Sequence, residues 1–372
     1  MKIAIVHDQL QEFGGAERVL VSLKKIYPQA DVFTSFYNPD TLGVHAKEFK
    51  NWNIITSWAD KVPFLKKLYS PLRFITPWIW ESFDFSKYDL VISSSGSYMC
   101  KGIKTNKPTL HISYIHHPPR YLYGYETAIE WQKYLLIKIY GHLINHPLRL
   151  WDFTSSKRAD FFVANSEETK KRIQKFYRRD ATVIYPPVSI PWKLTMNHEP
   201  RANSYYLTVS RLARAKHVDI LVRAANKLKF ELKIVGRGRD LEFLKSIAGP
   251  TVEFLTSVTD RELPELYKEA KAFLFASVDE EFGISPVEAM GYGLPVIAFR
   301  SGGVPETVKN GSNGYLFDEL NENKLIEKIT EFEKLSAEKK LAMRKAARRT
   351  AEQFTEEIFQ KRIKDFVDSH IK

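Results

Sequence analysis

Residues 273–306, FLFASVDEEFGISPVEAMGYGLPVIAFRSGGVPE, constrain the fold more than any other stretch of the chain. Ala272 to Ala276 is a compact apolar run of the kind buried in a parallel sheet. A polar loop and a short helix follow, then a second apolar run from Leu294 to Phe299 and a glycine turn. Ser285 suits an N-cap, Pro286 the first helical position and Glu288 the third, which together predict a capping box. Gly291 or Gly293 ends that helix. The amides of Gly283, Ile284 and Ser285 then lie at the positive end of a helix, where a phosphate binds well. Glu280, eight residues before Glu288, remains in the loop above. An anion site beside a carboxylate suits a ligand that carries both phosphates and hydroxyls, such as a nucleotide-sugar. The plainer alternative leaves Glu288 as a capping residue only and Asp279 to Glu281 as a solvated loop.

The rest of the chain alternates strand and helix signals. Strands are expected at Lys2–Val6, Ala30–Thr34, Asp89–Ser93, His111–Tyr114 and Phe161–Ala164. A proline-rich connection, Tyr185 to Pro191, separates these from strands at Tyr206–Val209, Glu231–Val235, Val252–Leu255, Ala272–Ala276 and Leu294–Ala298. Residues 123–149 read as largely helical, Asn165 or Ser166 caps a further helix, and Asn323–Val367 is strongly helical. Gly236-Arg237-Gly238 lacks the third spaced glycine of a dinucleotide fingerprint and reads as a tight turn near the base of a nucleotide.

Glu280-Glu281-Phe282-Gly283-Ile284-Ser285-Pro286-Val287-Glu288-Ala289-Met290, with Gly293, Pro295-Val296 and Gly302-Gly303-Val304-Pro305-Glu306, resembles the signature of retaining glycosyltransferases of family 4. Two more blocks agree: Val209-Ser210-Arg211-Leu212 with Lys216-His217, and Gly14-Gly15-Ala16-Glu17-Arg18 after the first strand. The resemblance implies an α/β chain of the GT-B class, two Rossmann-like domains facing across a cleft. Residues 1–190 would be the acceptor-binding domain, 191–350 the nucleotide-sugar-binding domain, and 351–372 a helix crossing back to the first domain. Arg211 and Lys216 would stabilise the charge that grows on a departing diphosphate, with no metal ion and no cofactor. Glu280 would hold sugar hydroxyls and Glu288 the ribose, while Gly14, Gly15, Gly283, Ile284 and Ser285 complete the donor site. The segment Ser113 to Tyr121 resembles a histidine–proline–arginine block of bacterial O-antigen mannosyltransferases within that family. His116 matches its histidine, which faces the donor sugar, and Arg120 its arginine, on the acceptor side. His117 and Pro119 depart from the pattern. A histidine pair that merely caps a strand is the alternative there.

Composition narrows the setting. The chain has 372 residues and a single cysteine, Cys100, so it can form no internal disulfide and no thiolate zinc cluster. Its first ten residues read as strand into loop, which predicts no secretory leader, and no apolar run reaches the ~20 residues of a membrane span. Residues 1–195 carry 27 Lys and Arg against 17 Asp and Glu, whereas 196–372 carry 29 against 27. All seven tryptophans lie in the first half too, which points to an anionic or interfacial partner there. Residues 52–85 are the clearest locus: Phe64, Leu65 and Leu68 are expected on one helical face and Lys66 and Lys67 on another, as in an interfacial helix. No nucleic-acid-binding motif accompanies the charge. The expected partners are a nucleotide-sugar donor (GDP-mannose, or else a UDP-sugar), a glycan or polyprenyl-linked acceptor, and the anionic inner face of the cytoplasmic membrane. A nucleotide-sugar epimerase and a non-catalytic membrane scaffold remain open as readings of another class.

Overall fold

Two separate sheets account for all the strands of the described residues, and every pairing in them is parallel. The computed structural model describes residues 1–127, 133–191 and 204–371. Trp131, Trp192, the start of the second domain expected at 191–203 and part of the helix expected at 123–149 lie wholly or partly outside the described residues. The described residues divide into two compact units, one formed by 1–125, 133–187 and 356–371, the other by 126–127, 188–191 and 204–355.

The first unit holds β1 (Ile3–His7), β2 (Asp31–Thr34), β3 (Ile54–Thr56), β4 (Leu90–Ser95), β5 (Leu110–Ile115), β6 (Phe161–Ala164) and β7 (Thr182–Val183). Their spatial order is β3-β2-β1-β4-β5-β6-β7. Parallel strands covered on both faces read as unbroken apolar runs, and Ile3 to His7 is buried at every position. Sheet growth reverses between β1 and β4, which pair in the register Ile3↔Leu90 to His7↔Ser94. Helices α1 (Gly15–Ile26), α2 (Leu135–Ser155) and α3 (Glu167–Tyr177) belong to this unit. Ser166 caps α3, its hydroxyl accepting the Thr169 amide at 3.0 Å.

In the second unit, β8 (Tyr206–Val209), β9 (Leu232–Val235), β10 (Val252–Leu255), β11 (Phe273–Phe275), β12 (Val296–Phe299) and β13 (Gly314–Phe317) stand in the order β10-β9-β8-β11-β12-β13. Growth reverses here between β8 and β11. Four helices of this unit matter below: α4 (Val218–Leu228), α5 (Ile284–Gly291), α6 (Glu322–Glu333) and α7 (Ala337–Ala351). Residues 323–367, read from sequence as one helical stretch, are broken twice, with Asn321 and Ser336 capping α6 and α7 through their side chains. The last piece, α8 (Glu356–Asp368), groups with the first unit. It buries Phe359, Ile363 and Val367 in the core beside α1, each worth about 1.5–3 kcal/mol in transfer terms. Burial of Glu356 opposes its ionisation, but the Lys25 ammonium at 2.8 Å and the Ser22 hydroxyl at 2.6 Å outweigh that and hold the carboxyl below its usual range.

Helix α2 is built inside out. Its buried positions are Gly141, Asn145, Leu148, Asp152 and Ser155, mostly small or polar, while Leu135, Leu136, Ile139, Leu143 and Leu150 face solvent. Burial pulls the Lys101 ammonium down from its usual pKa, against the pull of Asp152, whose carboxylate lies 2.8 Å away. The hydroxyls of Tyr123 and Tyr177 also donate to Asp152. Removing one member of such a pair strands the other charge in the interior, so Asp152→Ala is expected to destabilise the protein by about 3–5 kcal/mol. Urea denaturation measures this, and a loss below about 1 kcal/mol would show that packing rather than the ion pair anchors α2.

Candidate functional site

Where sheet growth reverses, the loops leaving the two central strands run in opposite directions and leave room above their carboxyl ends. Both reversal points in this chain are lined by residues singled out in the sequence.

In the second unit, β8 runs into Ser210 and Arg211, and β11 into Ser277 and Glu280. Arg211 is exposed, and Lys216 sits in the turn that precedes α4. The Lys216 ammonium lies 2.5 Å from Glu280 Oε2, and the Ser277 hydroxyl donates to that same oxygen at 2.7 Å. Lys216 also donates to Ser277 Oγ at 3.3 Å. Ser277 had gone unmentioned, although the first polar residue after a buried apolar run at a sheet's carboxyl edge is the signal that marks it.

Glycines explain why this loop holds its place. The Gly303 amide donates to the Glu280 carbonyl at 2.7 Å. A Cβ added to Gly302, at φ +56°, would lie 2.0 Å from the Glu280 carbonyl oxygen, and one on Gly303 2.1 Å from that of Glu281. On the opposite side, the Val278 amide donates to the Ala215 carbonyl at 3.0 Å. Gly236 and Gly238 similarly let their turn press on Ser210 and Leu212, where added Cβ atoms would stand 1.9 and 2.0 Å from carbonyl oxygens. Their role here is a close backbone approach that shapes the Arg211 loop.

One expectation is overturned. Helix α5 begins at Ile284, not Pro286; Gly283, left-handed at φ 85°, is its N-cap, with no side-chain capping bond. Ser285 is the second helical residue and Glu288 the fifth, so there is no capping box. Proline fits anywhere in a first turn, whose amides have no helical acceptor, and Gly283 supplies the sharp entry that only an unbranched backbone adopts easily. The amides of Ile284 and Ser285 still open the helix, beside the Glu280 loop.

In the first unit, Asp8 follows β1 and is nearly buried. Its carboxylate accepts the amides of Gly96 and Tyr98 on one oxygen and of Cys100 on the other, all at 2.8 Å, which ties down the loop after β4. Gly14 caps α1 and Gly15 begins it; the Gly14 amide donates to Glu17 Oε2 at 2.8 Å. His116 follows β5, its amide bonded to the Ser95 carbonyl and its Nε2 2.8 Å from Ser94 Oγ. His117 donates from Nδ1 to the Pro118 carbonyl at 3.1 Å, and Arg120 opens the short helix Arg120–Tyr123. His111, earlier in β5, is neutral, because burial pushes its pKa down to about 4. Asp8, His7 and Ser94 join these residues here, and none was marked by motif.

The expected interfacial segment takes another form. Residues 58–81 are four short turns of helix, with Trp80 wholly buried and its indole donating to the Tyr98 carbonyl. Lys66 has partners within the protein: its ammonium lies 2.9 Å from Asp60 and donates to the Tyr37 carbonyl. Phe64 (74%) and Trp78 (62%) are exposed. Helix α2 packs on the Arg73–Ile75 turn, and Tyr140 donates to the Pro71 carbonyl, so its outward leucines adjoin this segment. Among the described residues no helix is long and apolar enough to cross a membrane, and no three His, Cys, Asp or Glu side chains are grouped to hold a metal ion.

Comparison with known proteins gives two family matches, Glycosyltransferase Family 4 over residues 13–190 and Glycosyl transferases group 1 over residues 196–350. The chain is 27% identical to the GtfA subunit of UDP-N-acetylglucosamine–peptide N-acetylglucosaminyltransferase from Streptococcus pneumoniae, over 68% of this chain and 50% of the relative. It is 24% identical to the alpha-1,3/1,6-mannosyltransferase ALG2 of Kluyveromyces lactis, over 82% and 71%. The chain thus spans about half the length of that streptococcal relative. The crystal structure of Anabaena HepE in complex with UDP-glucose aligns with a TM-score of 0.71 at 19% identity, covering 99% of this chain and 100% of that one. Sucrose-phosphate synthase from Thermosynechococcus elongatus gives 0.75 at 17%, covering 99% of each. At such identities these neighbours show the fold.

Gly302→Ala tests the loop geometry. A left-handed backbone costs a residue with a Cβ about 1–2 kcal/mol, and the clash with the Glu280 carbonyl adds to it. The variant is expected to fold with a lowered melting temperature and to lose nucleotide-sugar binding in calorimetry. Unchanged affinity would separate the glycine pair from the site.

Proposed function

The chain belongs to the GT-B glycosyltransferases, and we propose that it is a retaining, metal-independent hexosyltransferase that moves mannose from GDP-mannose onto a lipid-linked or polysaccharide acceptor. The observation that carries this reading is the gathering of Lys216, Ser277 and Glu280 at one sheet reversal, beside the amino end of α5. In this reading the diphosphate takes the Lys216 ammonium with Arg211 and the α5 amides, and Glu280 turns to the sugar hydroxyls. Glu288 holds the ribose, and Gly14 and Gly15 complete the donor site. As the glycosidic bond breaks, negative charge grows on the leaving phosphate, where two fixed cations stabilise it. The departing oxygen takes the acceptor proton, so attack comes from the face just vacated and configuration is retained. His116 steadies the sugar, and Arg120 serves the acceptor.

Mannose is favoured by the His116–Arg120 block and by relatives named as mannosyltransferases. A UDP-sugar is the second reading, favoured by neighbours solved with UDP-glucose and UDP. The acceptor is assigned to lipid at the inner face of the cytoplasmic membrane in bacterial surface-glycan synthesis. The outward leucines of α2 support this, along with exposed Phe64 and Trp78 and the exposed cations Lys61, Lys67, Lys133 and Lys138 of the same segments. Exposed apolar residues and lysines in the same segments suit an anionic bilayer surface.

Three measurements bear on this reading. In a thermal-shift panel of GDP-, UDP-, ADP- and dTDP-sugars, GDP-mannose should raise the melting temperature most, since a ligand that binds only the native state stabilises it. A larger shift with a UDP-sugar would move the assignment to the second reading. Lys216→Ala should cut turnover by about 10²-fold with folding intact, the scale of losing one transition-state charge stabiliser. Near-normal turnover would remove Lys216 from the mechanism. Finally, Leu136→Glu with Leu143→Glu should abolish co-sedimentation with phosphatidylglycerol-rich vesicles at low salt, whereas Lys66→Glu should matter little. Wild-type protein that ignores such vesicles would favour a soluble acceptor.

A further inference from the structure

At the reversal point of the first sheet, four side chains form a continuous hydrogen-bonded chain: Glu17, His7, Ser94 and His116. Glu17 Oε1 lies 3.3 Å from His7 Nε2, His7 Nδ1 3.1 Å from Ser94 Oγ, and Ser94 Oγ 2.8 Å from His116 Nε2. His7 and Ser94 are buried, and the His7 and His116 rings meet edge to face at 6.4 Å. Glu17 is anchored independently, because its other oxygen accepts the Gly14 amide at the start of α1. A carboxylate there is also favoured by the positive end of the helix.

With Glu17 ionised and both imidazoles neutral, the donor and acceptor capacities of these groups leave one consistent direction. An ionised carboxylate only accepts, so the proton between Glu17 and His7 is on His7 Nε2. Neutral His7 then has an acceptor at Nδ1, and the Ser94 hydroxyl donates to it. That hydroxyl has a single proton, so towards His116 it can only accept, and His116 Nε2 must carry the proton. We propose that Glu17, His7 and Ser94 are positioning residues that fix His116 as its Nε2–H tautomer. The role of His116 towards sugar rests on the function proposed above; the direction of the chain does not.

The second nitrogen of a functional histidine is commonly set by a partner in this way. Here the setting group is three hydrogen bonds away, and one residue at the start of a helix decides the direction. Glu17→Gln is the informative change. Its amide can still accept from Gly14, so α1 keeps its start, but it can also donate to His7 Nε2. That allows the opposite direction, with His7 protonated at Nδ1, Ser94 donating to His116, and His116 protonated at Nδ1.

The test is the tautomer itself, read by long-range proton–nitrogen correlation NMR at neutral pH on full-length protein labelled at histidine with nitrogen-15. His116→Gln identifies the His116 signals by their loss. Wild type should show the Nε2–H pattern at His116. Glu17→Gln should shift it towards Nδ1–H, and Ser94→Ala should change it with Glu17 intact. The Ser94 variant keeps the test decisive if Glu17→Gln fails to fold. An Nδ1–H pattern in wild type, or one unchanged in a folded variant, would overturn the proposal. Turnover of GDP-mannose is scored separately. Full turnover in His116→Gln together with the expected tautomer shifts would remove His116 from the reaction and leave the chain standing.

Discussion

The reversal of strand order is the constraint on which the rest of this protein depends. Parallel strands force every connection to cross a sheet face, so the loops that leave the carboxyl ends are the only segments free to build a site on a rigid edge. At β1 and β4 those loops hold Asp8 with its three amides and the His7–Ser94–His116 chain. At β8 and β11 they hold Arg211, Lys216, Ser277 and Glu280. Each group stands on a strand end that is itself wholly or largely buried, which is why such short loops can place charge within a fraction of an ångström.

Glycine has a structural task in the motif that carried most of the sequence argument. Gly302 and Gly303 follow Glu280 by more than twenty residues, yet they are its backbone neighbours, in a contact that leaves no space for a side chain. The spacing of the motif is thus the length of chain needed to leave β11, form α5, return through β12 and lie against the loop it started from. Gly236 and Gly238 do the same for the Arg211 loop. A glycine that reads as a phosphate contact can equally be a place where two loops touch.

Much of the fold was legible, since β6, β8 and β10 occupy the predicted residues and most other strands differ by one or two at their ends. The strands that escaped notice, β3, β7 and β13, are short or at a sheet edge, with too few residues for a periodic signal. The start of α5 was misplaced because Pro286 and Ser285 fit two positions in a first turn, and only backbone conformation at Gly283 separates them. At the site, residues within motifs were legible. Ser277, His7 and Ser94 were not, because serine and histidine at strand ends declare no partner until the strands pair. The pairing of Lys66 with Asp60 was not legible, because sequence gives the spacing of a charge and not its neighbour. Helix α2 hid its surface in the same way, since a helix with apolar residues on one side reads as packed on that side. Asp152, paired with Lys101 and bonded by Tyr123 and Tyr177, shows that this helix is held by its polar face.

The Lys216–Glu280 pair adds a further consequence for the proposed reaction. Each side chain is less than one-fifth exposed, so neither charge is well solvated, and each is neutralised by the other with Ser277 between them. A diphosphate offers Lys216 a second anion, and a sugar offers Glu280 the hydroxyl donors that replace an ammonium. One without the other leaves a largely buried charge with one partner fewer, at a cost of about 1–3 kcal/mol or more for a charged group. The donor as a whole can exchange both partners at once, whereas free sugar or free phosphate cannot. In the proposed reaction, discrimination in favour of the intact nucleotide-sugar would follow from this exchange, before any contact to the base is considered.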